Sequence, residues 1–153
     1  MSELEGQKRL SGLSEMGECT CQNLRKAARA VTQYYGSVLE PSGLKVTQLP
    51  VLAVPASKGP LPMSRLAEEL VMDRTTLTRN LRPLEKAGLI RVRRGEDKRS
   101  RIVEITDAGR AALAKALPLW KKAQADMVDN LGRFQWGVLM DNLRAAVAAI
   151  KVT

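Results

Sequence analysis

Apolar residues recur at helical spacing through the first half of the chain, switch once to strict alternation, and return to helical spacing to the end. Residues 1–10 carry no such pattern and are expected to fray. From about Leu13 to Glu40, the positions Cys21, Leu24, Ala28, Val31, Tyr35 and Val38 form one stripe, which predicts an amphipathic helix. Pro41-Ser42-Gly43 ends it. Thr47 is the expected cap of a shorter helix reaching about Pro55, with Pro50 tolerated in its first turn, and Ser57-Lys58-Gly59-Pro60 is a loop. Met63, Leu66, Ala67 and Leu70 predict a short helix and Val71-Met72 a tight turn. Asp73 is the expected N-cap of the next helix, its carboxylate placed to accept the Thr76 N–H. That helix runs toward Lys86, with Leu77, Leu81 and Leu84 as its buried face, and closes at Gly88. Pro83 removes one of its hydrogen bonds and predicts a kink or loosening there.

The period then becomes two. Ile90 and Val92 alternate with Arg91 and Arg93, residues 94–98 make a turn rich in Gly and Asp, and residues 101–105 resume a strand, which together predict a β-hairpin. Thr106 caps a long helix whose stripe is Leu113, Leu117, Trp120, Met127 and Leu131; Pro118 is expected to bend it and Gly132 to end it. A last helix from about Phe134 carries Leu139, Leu143, Ala146, Val147 and Ile150. The order helix, turn, helix, two-stranded hairpin is that of a winged helix-turn-helix, so the fold class is mainly α with a small β-hairpin wing.

Charge sharpens this picture. The chain has 153 residues and a formal net charge of +9. Residues 74–101 hold ten basic groups, at 74, 79, 82, 86, 91, 93, 94, 98, 99 and 101, against Glu85, Glu96 and Asp97, so +7 of the +9 lies there. An isolated charge run is usually a solvated face, but here it coincides with a recognition-helix pattern and a wing. On the helix, Thr75, Arg79, Arg82 and Lys86 lie opposite the leucines, with Thr76 at the edge. Arginine can bind guanine bidentately, threonine can reach a phosphate or a thymine methyl, and the helix N-terminus favours phosphate. The candidate DNA-binding set is Arg74, Thr75, Thr76, Thr78, Arg79 and Arg82 on the helix, with Arg94, Lys98, Arg99 and Arg101 on the hairpin.

Composition removes other classes. There is no histidine, hence no Ser-His or Cys-His pair, and no Gly-rich phosphate loop or paired-carboxylate motif; an enzyme is not expected. Aromatic residues are 3% of the chain, too few for a row of base-stacking rings. No apolar run is long enough to span a membrane, and Glu3, Glu5, Lys8, Arg9 and Glu15 leave no secretory h-region, so the expected compartment is the cytoplasm. No cofactor or metal is implied, because two cysteines offer too few soft ligands.

The runs Leu66-Ala67-Glu68-Glu69-Leu70, Asp73-Arg74-Thr75-Thr76-Leu77-Thr78-Arg79, Leu84-Glu85-Lys86-Ala87-Gly88-Leu89-Ile90, Asp97-Lys98-Arg99-Ser100 and Thr106-Asp107-Ala108-Gly109 together resemble the MarR (multiple antibiotic resistance regulator) family of bacterial transcription factors. The likeness covers about residues 20–150. It implies a homodimer on a pseudo-palindromic double-stranded DNA operator, with Arg99 entering the minor groove and Asp97 as its brace. One departure is Pro62, where the family often has a Ser or Thr helix cap. The expected organisation is a single domain, 1–153, with a winged lobe at about 45–106 and dimerisation helices at about 13–40 and 107–151. Dimerisation has independent support, since a lobe of about 50 residues is too small to cover three apolar stripes.

Two switches are open. Cys21 is either a small packing residue, with Cys19 incidental, or a redox switch. Residues 21–48 align without gaps with the hydroperoxide-sensing branch of the family, with Cys21 at its reactive cysteine and Tyr35 at one of the two tyrosines that hydrogen-bond it; Arg25 stands at the second. Cys21 and Tyr35 lie about 21 Å apart along one helix, so they can meet only across a dimer. The other switch is a phenolic or other aromatic acid bound between the dimer helices and the winged lobe, where Tyr34, Trp120, Met127 and Trp136 can line a cleft, although aromatics at helical spacing are more often core. The expected function is a sequence-specific repressor released by a small molecule or oxidant; the alternative is a non-specific architectural DNA-binding protein.

Overall fold

The computed structural model describes residues 12–97 and 99–150, so the expected fraying of residues 1–10 and the candidate contact Lys98 lie outside it. The chain divides into two compact units at Tyr34/Tyr35. The helices are α1 (Thr20–Leu39), α2 (Leu49–Lys58), α3 (Met63–Leu70), α4 (Arg74–Lys86), α5 (Asp107–Leu131) and α6 (Arg133–Ala149). The strands are β1 (Leu61–Pro62), β2 (Ile90–Arg94) and β3 (Arg101–Ile105).

In the first unit, the helix expected from Leu13 starts later. Leu13–Glu18 is a 3-10 turn, and Cys19, at φ −59° and ψ 115°, interrupts the helical backbone before α1. Gly17 supplies little helix propensity, and the Asn23 side chain donates to the carbonyls of Gly17 and Cys19 at 2.8 and 3.0 Å, stabilising the break. Cys19 and Cys21 are both exposed.

The second unit carries the core. Leu39, Val51, Leu52, Leu66, Leu77, Leu84 and Val103 are almost wholly buried, and full burial of each such side chain contributes roughly 1.5–3 kcal/mol. The leucine face expected on α4 is the buried one, with Leu77, Leu81 and Leu84 all inside. The α4 helix continues through Pro83 to Lys86, so the proline does not end it. Likewise α5 runs unbroken across Pro118.

Three local expectations are corrected. The helix near residue 50 starts at Leu49, not after a Thr47 cap: Gln48 occupies the N-cap position, and its side-chain oxygen accepts the Lys45 N–H at 2.9 Å. That helix also absorbs Ser57 and Lys58, ending at Gly59, whose φ of 81° suits a residue without a Cβ. The hairpin has a third strand: β1 pairs antiparallel with β3, Leu61 opposite Val103 and Pro62 opposite Ile102, giving the order β1-β3-β2. A two-residue strand is too short to show alternation. Pro62 can take part because β1 is an edge, and it also serves as the uncapped N-terminus of α3.

On α5 the large apolar stripe is not the buried one. Gly109, Ala116 and Ala123 are buried, while Leu117, Trp120 and Leu131 are exposed. On α6 no residue is buried.

Candidate nucleic-acid interface

The helix-turn-helix is set by two short-range devices. Helix α3 ends where Val71 takes a left-handed conformation (φ 51°, ψ 46°), and the Met72 N–H closes back on the Ala67 carbonyl at 2.9 Å. Asp73 then caps α4: one carboxylate oxygen accepts the Thr76 N–H at 2.8 Å and the other its hydroxyl at 2.6 Å. The Thr76 hydroxyl, followed by its backbone N–H, holds the Asp73 carboxyl below the usual carboxylate range. The cap is therefore charged at neutral pH, beside the positive end of the helix dipole; its stabilisation is lost only as the pH falls through that lowered value.

The capping geometry divides the three threonines. Thr76 gives its hydroxyl proton to Asp73, and Thr78 gives its own to the Arg74 carbonyl at 2.7 Å. Thr75 is exposed, and among the described residues its hydroxyl makes no hydrogen bond. Arg74, Arg79, Arg82, Arg94, Arg99 and Arg101 are all exposed.

The wing turn is closed on itself. The Asp97 side chain accepts the Arg99 N–H at 3.0 Å, and its backbone carbonyl accepts the Ser100 N–H and hydroxyl at 2.8 and 2.9 Å. A Cβ on Gly95 would fall 2.0 Å from the Ser100 hydroxyl oxygen, so this close turn requires glycine unless Ser100 moves. On the strands, Arg93 faces Glu104 at 3.6 Å.

A second knot joins the end of α4 to the start of α5. The Thr106 hydroxyl accepts the Gly109 N–H at 3.0 Å and donates to the Gly88 carbonyl at 2.6 Å, while the Thr106 N–H donates to the Leu89 carbonyl at 3.1 Å. A Cβ on Gly109 would lie 2.0 Å from the Leu89 carbonyl oxygen, which explains the glycine in the Thr106-Asp107-Ala108-Gly109 run.

Two adjoining clefts gather the basic residues. One, of about 300 Å³ between α4 and the wing, is lined by Arg74, Thr78, Arg82 and Arg101 together with Glu85. The other, of about 320 Å³ between the start of α3 and the wing, is lined by Arg74, Arg99 and Arg101 with Ser64 and Ser100. Four of the candidate arginines are thus brought together, with Arg74 and Arg101 common to both clefts. Thr75, Thr76, Arg79 and Arg94 line neither. Ser64 and Ser100 were outside the candidate set because a lone serine carries no pattern, and Glu85 entered only as an opposing charge.

Away from the clefts, Tyr35 is buried, and its hydroxyl donates to the Gln124 side-chain oxygen on α5 at 2.8 Å. Burial pushes its phenol pKa up, so it remains a neutral donor. No helix among the described residues is long and apolar enough to cross a membrane.

These features define a winged helix-turn-helix transcriptional regulator. The MarR family model matches residues 42–100. The chain is 42% identical to the M. tuberculosis transcriptional regulator MosR, solved in complex with DNA; the match covers 88% of this chain and 99% of that one, with a TM-score of 0.75. It is 30% identical over 100 residues to the organic hydroperoxide resistance transcriptional regulator of Bacillus subtilis, covering 65% of this chain and 68% of that one. It is also 32% identical over 83 residues to the HTH-type transcriptional regulator YwoH of Bacillus subtilis, a match to 54% of this chain that spans only 61% of that relative. The chain belongs to the MarR family.

Proposed function

We propose that this protein is a sequence-specific repressor that binds a pseudo-palindromic double-stranded operator as a homodimer in the cytoplasm and releases it on an oxidant or small-molecule signal. The observation that carries this reading is the convergence of Arg74, Arg82, Arg99 and Arg101 on the two clefts between the helix-turn-helix and the wing. Arg79, exposed on α4, reads a base edge; Thr75 contacts phosphate or a thymine methyl; Arg94 and Lys98 add phosphate contacts; and Arg99, with its backbone held by Asp97, enters the minor groove. That the MosR relative is solved in complex with DNA supports the DNA-binding reading.

The dimer is supported by apolar side chains that a single chain leaves open, notably on α5 and α6. In this organisation residues 45–106 form the reading lobe, and residues 13–40 and 107–151 form the interface. The oxidant reading rests on Cys21 being exposed and on the hydroperoxide-regulator relative. Tyr35 is buried and donates its hydroxyl to Gln124 in the single chain, so meeting the partner's Cys21 requires that hydroxyl to change partners. An aromatic acid is the alternative signal.

Fluorescence anisotropy with the duplex upstream of its own gene tests both parts. Arg79→Ala should cost about 1–3 kcal/mol and relax one base position, whereas Arg99→Ala should weaken binding more evenly across sequences. If neither changes affinity, the docking model is wrong. Organic hydroperoxide should release wild-type protein, and thiol should restore it. Cys21→Ser should bind DNA but ignore the oxidant; a mutant that responds like wild type moves the signal to a small molecule.

A further inference from the structure

One side chain outside the candidate DNA contacts hydrogen-bonds the wing to the recognition helix. Strand β2 is one edge of the sheet and, among the described residues, pairs with β3 alone. The Thr106 N–H donates to Leu89 and the Gly95 N–H to Ser100, which fixes the register: odd-numbered residues of β2 point their N–H groups at β3. Val92 therefore turns its N–H to the open edge, where an unpaired donor invites solvent or another chain. Here it meets α4, and the Glu85 carboxylate accepts it at 3.3 Å. Glu85 stands in the cleft lined by Arg74, Arg82 and Arg101, yet among the described residues it makes no ion pair within 4.0 Å. In this cleft of arginines, the carboxylate is directed to a strand N–H.

We propose that Glu85 is a positioning residue that seats the wing on the recognition helix, so that Arg82 of α4 and Arg99 of the wing meet DNA as one preorganised unit. This rests on the DNA-binding reading above. Its physical content is that a wing free to pivot must be ordered at the moment of binding, and that ordering weakens affinity without removing any DNA contact.

Two substitutions separate the tether from the charge. Glu85→Gln keeps a side-chain oxygen acceptor and removes the negative charge; Glu85→Ala removes both. Amide hydrogen exchange on the DNA-free protein reads the tether, with the buried β3 residue Val103 as internal reference. The Val92 amide should exchange at least about tenfold faster in Glu85→Ala, with Val103 unchanged, and at the wild-type rate in Glu85→Gln. On the operator, Glu85→Ala should lose about tenfold in affinity, with hydroxyl-radical protection fading first at the outer, wing-contacted positions, and Glu85→Gln should retain the wild-type footprint. Val92 exchange unmoved by Glu85→Ala overturns the tether. Equal losses in Glu85→Gln and Glu85→Ala overturn the tether, because Gln keeps the acceptor; equal gains in both show the carboxylate acting only by repelling phosphate, and also overturn it. Wild-type protein that binds no operator overturns the DNA-binding reading, and with it the wing's role on DNA, even where the amide rates behave as expected.

Discussion

The reading lobe and the two C-terminal helices are built from similar apolar repeats, yet one is closed and the other open. In the lobe, Leu66, Leu77, Leu81, Leu84, Ile90, Val103 and Ile105, drawn from α3, α4, β2 and β3, are all buried within one chain. On α6 nothing is buried, and Phe134, Val147 and the following Ile150 are 78%, 58% and 67% exposed. Helix α5 buries only a seam of Gly109, Ala116 and Ala123 and leaves Leu117 and Trp120 outside. A stripe shows that a helix has an apolar face; it does not show what covers that face. The lobe is covered by its own chain, whereas the C-terminal helices present the surface that the proposed second copy would cover.

The sharpest way to break this comparison is to charge the open surface. Val147→Asp with Ile150→Asp changes residues already exposed in the single chain, so the lobe should fold as before. Sedimentation should show a monomer, and operator affinity should fall by about 10²–10⁴, the advantage of linking two half-site contacts. A double variant that stays dimeric and binds at full strength places the interface elsewhere.

The next effect falls where the two regions meet. Gly109→Ala forces a Cβ against the Leu89 backbone carbonyl, which cannot swing away as a side chain would. We expect a loss of about 1–3 kcal/mol in urea unfolding, with the α4–α5 junction displaced. Wild-type stability would show that the junction is looser than described.

The smallest effect improves the lobe. Val71 is β-branched, exposed and held at φ 51°, a conformation costing an L-residue about 1–2 kcal/mol. Val71→Gly should raise stability by about 1 kcal/mol, partly offset by the freedom glycine gains in the unfolded chain, with operator affinity unchanged. A lower Tm would mean that the Val71 side chain contributes contacts that outweigh the strain.

Much of the lobe was legible because its signals are local. The leucines of α4 at i, i+4 and i+7, Asp73 three residues before Thr76, and the alternation of Ile90 and Val92 each report on a few neighbouring residues. What escaped depends on partners distant in sequence. Strand β1 exists only because Leu61 and Pro62 reach β3. The alanine seam of α5 is inside because small residues allow close approach, which hydrophobic size alone ranks in the wrong order. Glu85 counted as a charge until the strand register turned the Val92 N–H toward it. The arginines of the candidate site were visible as a charge cluster; the division into two clefts sharing Arg74 and Arg101 required the fold.

The central claim is that the arginine-lined face reads sequence and does not merely attract phosphate. It is tested most directly by titrating the duplex upstream of the protein's own gene against a scrambled duplex of equal length, at one fixed physiological salt concentration. Binding to the upstream duplex should be at least about 10³-fold tighter, with two chains per site. Equal affinity for both duplexes would contradict the claim and leave a non-specific DNA-binding protein.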